Sequence, residues 1–167
     1  MSIKKGFTLI EVLIVIAVIG ILSSIMMMSS TESVSTAKAS NIISNLRNFS
    51  MAAMAYYTEH VDEVGKNPTG YHIELGTVTP YMHNEGDVPD KENYIVTNNV
   101  GTWWAGYKLS GTVDEGKIKE KLANRAESAN LKGGGSTPPV KTGTDNKYPS
   151  YNKDYSHVWL LIRSNRL

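Results

Sequence analysis

The sequence predicts an α+β protein in which one long N-terminal helix packs on a small antiparallel sheet. Three observations carry that expectation. Residues 7–28 form an apolar run in which Glu11 is the one charge, and no other charge follows before Glu32. Residues 29–62 contain neither proline nor glycine. They place Ile42, Leu46, Phe49, Ala53, Tyr56 and Tyr57 at spacings of three and four, drawing one face of a helix. Downstream, Tyr94–Thr97, Trp103–Ser110 and Tyr155–Arg163 are rich in aromatic and β-branched residues and alternate as strands do.

The helix is expected from Phe7 to about Asp62, roughly 80 Å at 1.5 Å per residue. Val64-Gly65-Lys66-Asn67-Pro68 supplies its stop. Its apolar first part has about the length that spans a bilayer, roughly 20 residues. Lys4 and Lys5 ahead of it favour a cytoplasmic N-terminus with the rest of the chain exported. A secretory signal peptide cut near Ser23-Ser24, or a plain single-pass anchor, would use the same segment. Neither explains Glu11, because a lone acid inside a span costs on the order of 3 kcal/mol. It needs a partner, and the apolar run contains no cation.

Composition narrows the function. The chain has 167 residues, 41% of them hydrophobic with the densest run before residue 30, so the remainder holds one modest domain with a small core. Net charge is +1, and removal of Met1–Gly6 takes two of the 17 basic residues, leaving 15 against 16 acidic ones. That balance argues against nucleic acid as a main partner. Cysteine is absent, which excludes disulfides, thiolate metal sites and a cysteine nucleophile.

Lys5-Gly6-Phe7-Thr8-Leu9-Ile10-Glu11, with the Val-Leu-Ile-Val-Ile-Ala-Val-Ile-Gly that follows, closely resembles the prepilin signature of type IV pilins and type II secretion pseudopilins. The match runs without a gap from Lys4 to about Ile25. The resemblance implies a pilin-like fold. It also implies cleavage between Gly6 and Phe7 by a membrane aspartyl prepilin peptidase, N-methylation of the new Phe7 amine, and assembly into a helical filament. Each position has a physical use. Gly6 lets a protease approach the backbone, Lys4 and Lys5 hold the cut point at the cytoplasmic face, and Glu11 can pair with the Phe7 amine of a neighbouring subunit. The expected division is a leader at 1–6, a transmembrane and filament-core helix at 7–28, its continuation at 29–62, and a head at 63–167 with a flexible loop at about 132–154. Expected partners are the peptidase, other copies and related pilins, the inner-membrane assembly platform and membrane lipid. The implied location is the bacterial inner membrane as a precursor, then an extracytoplasmic filament. Many pilins carry proline where this chain has Met28; without that breaker the helix should run more continuously, or yield near Ser23-Ser24.

In the head, Thr77–Met82 is expected to form a short helical turn beginning around Pro80, and Asn84–Asn93 to be turn-rich. Asn98, Asn99 and Gly101 mark a hairpin turn, with Trp103, Ala105, Tyr107 and Leu109 laid on the long helix and Trp104, Gly106 and Lys108 on the opposite face. Thr112 or Asp114 should cap a helix over Glu115–Leu131, with Ile118, Leu122, Ala126 and Ala129 inward and its charged face solvated. The strand at Tyr155–Arg163 completes a sheet of three to four strands, buried on much of both faces.

No catalytic constellation, resident metal or cofactor is expected. His60, His72, His83 and His157 lack ligand spacing, and the Gly133-Gly134-Gly135 run is not followed by the Lys-Ser/Thr of a phosphate loop. Asp87 with Asp90, or Asp145 with Asn146, could offer oxygens to calcium but reads better as turn chemistry. The leading expectation is a structural filament subunit rather than an enzyme. The alternative is a minor, tip-located pilin whose exposed Trp104, tyrosines and long loop bind DNA, surfaces or exported protein. Glu11 argues against tip placement, because the family's tip-type subunits can lack this acid. A monomeric membrane-tethered domain is a third possibility.

Overall fold

The computed structural model describes residues 7–61, 72–73, 75–82, 88, 90–99, 102–109 and 114–164. The leader residues Lys4, Lys5 and Gly6, the stop segment at 64–68, His83 and Asp87 lie outside them.

Helix α1, Leu9–Glu59, contains 51 residues, a length of about 77 Å. It passes Ser23 and Ser24 without interruption, so the continuous form is the one adopted. Hydroxyls along it donate back to the carbonyl one turn earlier: Ser24 Oγ to Gly20 at 2.9 Å, Ser30 Oγ to Met26 at 3.0 Å and Ser35 Oγ to Thr31 at 2.9 Å. Polar side chains are thereby satisfied without any partner outside the helix. The helix ends at His60, whose backbone N–H bonds to the Tyr56 carbonyl and whose ring stacks on Tyr56.

Burial along α1 changes sharply. Apolar side chains from Phe7 through Met27 are exposed, whereas Ala39, Ile42, Ile43, Leu46, Phe49, Ala52, Ala53 and Tyr56 are buried. The buried set recurs every three or four residues and forms the floor of the head.

A five-stranded antiparallel sheet lies on that floor in the order β1-β2-β3-β5-β4. Its strands are β1 (His72–Ile73), β2 (Tyr94–Asn99), β3 (Thr102–Lys108), β4 (Leu131–Gly134) and β5 (His157–Ser164). Helical segments intervene: α2 (Leu75–Val78) runs into a 3-10 turn at Thr79–Tyr81 carrying Pro80, a second 3-10 turn spans Lys91–Asn93, and α3 covers Glu115–Asn124. Asn98 and Asn99 continue β2 and pair with Trp103 and Thr102, so they are strand rather than the expected turn.

The inward face of β3 carries Trp103, Ala105, Tyr107 and Leu109, all buried with Val158 and Leu160 of β5. Aromatic contacts join sheet to helix, with Phe49 and Tyr94 rings 4.9 Å apart, Tyr94 and Tyr107 4.7 Å apart, and Tyr57 edge-on to Trp103 at 5.8 Å. Asn45 Nδ2 donates to the Tyr94 hydroxyl at 3.1 Å. Burial pushes the Tyr94 hydroxyl well above the usual phenol range and also raises that of Tyr107.

Two further stretches depart from the sequence expectation. Helix α3 stops at Asn124 rather than near Leu131: turns fill 125–130, and Asn130 at φ 56° redirects the chain into β4. Its inward residues Ile118, Leu122, Ala126 and Ala129 are nevertheless buried as expected. Its charged face is not simply solvated. Lys121 Nζ lies 2.6 Å from Glu32 Oε1, Lys117 Nζ donates to Thr31 Oγ1 at 3.0 Å, and Arg125 reaches Ser40 Oγ. The Lys121 ammonium holds the Glu32 carboxyl below its ordinary range. These contacts tie the head to the part of α1 just beyond the apolar run.

Second, residues 132–154 are not a free linker. They open as β4, paired with β5, and fold back over the outer face of the sheet through Lys132↔Ser150 and Thr142↔Lys147 bridges. Trp104 is consequently 1% exposed, against the expectation of an accessible ring. It meets Tyr148 edge-to-face at 4.8 Å, and Trp159 Nε1 donates to the Gly135 carbonyl at 3.2 Å. The glycines make room for rings. A Cβ at Gly133 would strike Tyr155, and one at Gly106 would strike the six-membered ring of Trp159.

Candidate assembly site

Thr8 adopts an extended backbone ahead of the first turn of α1 and caps it. Its hydroxyl accepts from the Glu11 backbone N–H at 3.3 Å. In return Glu11 Oε2 accepts from the Thr8 backbone N–H at 2.8 Å and from the Thr8 hydroxyl at 2.7 Å. Two donors that a helix start leaves without intrahelical partners are satisfied reciprocally. The carboxylate also sits in the first turn, where the helix dipole favours negative charge.

Glu11 therefore has a partner inside its own chain. The sequence reading sought a cation and passed over Thr8, although Thr8-Leu9-Ile10-Glu11 has the Ser/Thr-x-x-Glu spacing of a capping box. Both bonds use Oε2 and neither uses Oε1.

Around this polar pair the surface is apolar. Phe7 is 89% exposed and, with Leu9, Val12, Leu13 and Ile16, lines a shallow open groove beside Thr8. Phe7 and Glu11 thus lie together at the N-terminal end of α1, with Gly6, Lys4 and Lys5 outside the described residues. Among the described residues α1 is the helix long and apolar enough to cross a membrane.

The other candidate residues do not gather into a site. Among the described residues no group of three or more His, Cys, Asp or Glu side chains is placed to hold a metal ion. Asp145 pairs with Lys147 at 3.7 Å on the surface. Asp90, at φ 57°, precedes the second 3-10 turn, and its suggested companion Asp87 is outside the described residues. His157 is buried against Trp159 and hydrogen-bonded to Ser156 Oγ at 2.9 Å, a core position.

Comparison with known proteins points to the same end of the molecule. Residues 1–27 match the family described as the prokaryotic N-terminal methylation motif. Over 160 residues, 94% of this chain and 83% of the relative, the sequence is 25% identical to the type IV major pilin protein PilE1 of Neisseria gonorrhoeae. No solved structure matches. The chain thus carries the prokaryotic N-terminal methylation motif on a long helix whose second half underlies an antiparallel sheet, and over most of its length it is similar to a type IV major pilin.

Proposed function

We propose that the chain is a structural subunit of a type IV pilus, cut between Gly6 and Phe7 by prepilin peptidase, N-methylated at Phe7, and assembled through the first half of α1. The observation that carries this reading is the contrast along α1. Apolar side chains from Phe7 to Met27 are uncovered by the protein's own head, while the same helix is buried from Ala39 onward. An apolar surface of that length needs lipid before assembly and neighbouring helices afterwards.

In this reading the precursor waits in the inner membrane, Lys4 and Lys5 on the cytoplasmic side, until an assembly platform draws it into the filament. Cleavage creates a cationic amine at Phe7. Glu11 of an adjacent subunit meets it through Oε1 while Oε2 keeps the Thr8 cap. The pair sets axial register, because the acid gains a counter-charge only where the amine arrives. Similarity to a major pilin along most of the chain favours a pilus subunit over a secretion pseudopilin. The tip-binding alternative loses its main aromatic contact, since Trp104 is buried.

Glu11→Val tests the pairing. The variant should insert in the membrane and lose its leader normally, yet give little or no filament in sheared surface fractions. Wild-type filament yield from Glu11→Val would overturn the role given to this carboxylate.

A further inference from the structure

On the sheet face opposite α1, the returning segment leaves a cleft of about 360 Å³. Lys132, Lys141 and Lys147 stand around it, Asn130 and Asn146 flank them, and Tyr148 with Leu161 forms the floor. The strand pattern fixes its outward position. Leu131 and Leu160 pair on the α1 side, whereas Lys132 and Trp159 pair on the outer side. The Thr142↔Lys147 bridge closes a small hairpin in which Gly143 and Asn146 take positive φ, 76° and 49°, and both Lys141 and Lys147 of this hairpin line the cleft. Among the described residues three lysines line the cleft and no acid does; Lys147 pairs at 3.7 Å with Asp145, which lies outside the lining.

We propose that this cleft binds acidic saccharide, a chain of uronate- or sulfate-bearing sugars. The excess of ammonium groups selects an anion, and the cleft volume suits a short segment of small units rather than a folded partner. Two exposed asparagine amides supply both donors and acceptors, the complement of sugar hydroxyls. Nucleic acid fits less well, because single strands bind by stacking bases on free aromatic faces. Here the Tyr148 ring already has Trp104 against it and Lys141 Nζ above it, 5.5 Å from its centroid, while Trp104 and Trp159 are buried.

The test uses the full processed chain in a non-ionic detergent, so it does not depend on filament assembly. A heparin-derived oligosaccharide, a neutral dextran of equal length and a single-stranded DNA are compared as probes. Heparin oligosaccharide should bind saturably and lose affinity as salt is raised. Lys141→Gln/Lys147→Gln should weaken it about tenfold with an unchanged melting temperature, and Lys141→Arg/Lys147→Arg should retain it. Equal binding of dextran, or of the double glutamine variant, would overturn the site. Tighter binding of DNA than of heparin oligosaccharide would overturn the saccharide assignment.

Discussion

Glu11 has an observed partner in Thr8 and, in the proposed filament, a second in the Phe7 amine of a neighbouring subunit. Within one chain it closes a capping box with Thr8, which offsets part of the cost of carrying a carboxylate into lipid. Thr8→Ala removes a cap worth about 1 kcal/mol. Amide exchange across Leu9–Glu11 in detergent micelles should then quicken about fivefold, and an unchanged rate would show that the cap contributes nothing. In the head, His157 supplies a pH signature. Burial, then the nearby Lys108 charge, holds its imidazole below the ordinary value near 6.5. The unfolded chain therefore takes up a proton that the folded chain resists, so this contribution to stability is fully present above about pH 7.5 and falls as pH drops through 6.5. Melting temperature followed from pH 7.5 to pH 5 should decline less steeply in His157→Gln than in the parent. Glu11 was visible in the sequence as a misplaced charge. Its cap was equally present there, and was obscured because the same residues carry a processing signature.

At the scale of elements, the long helix and the first hairpin were legible because their periods are long and uninterrupted. Ile42, Leu46 and Phe49 declare one helical face, and Trp103, Ala105 and Tyr107 one strand face, without knowledge of any partner. The stretch 132–154 was not legible for the opposite reason. Gly133 is a strand residue because Tyr155 occupies the space of a side chain, and Gly106 because Trp159 does. Tyr155 lies more than twenty residues from Gly133, so local composition reads the glycines at 133–135 as a linker, whereas the alternation around Gly106 already marked it as strand. Gly106→Ala should cost about 1–3 kcal/mol through overpacking, read as a drop in melting temperature by tryptophan fluorescence; a parent-like melt would show that Trp159 yields freely. The lysines of α3 were misread similarly. Their partners Glu32 and Thr31 sit more than eighty residues earlier, and only the fold brings them together.

As a whole molecule the chain is a spine with two surroundings. From Ala39 onward α1 is the floor of its own head; before Thr31 its apolar side chains are uncovered. The α3 contacts to Thr31, Glu32 and Ser40 mark the boundary and hold the head upright on the spine. That division places the proposed assembly residue Glu11 and the outward cleft of the head on separate parts of the molecule. In the proposed function the chain becomes a filament subunit only once Gly6 is removed and Phe7 provides a free amine. Intact-mass spectrometry of sheared surface filaments tests it most directly. A chain that begins at N-methylated Phe7 and is abundant in the filament fraction is the expected result; recovery only from membranes, as a chain beginning at Met1, would contradict it.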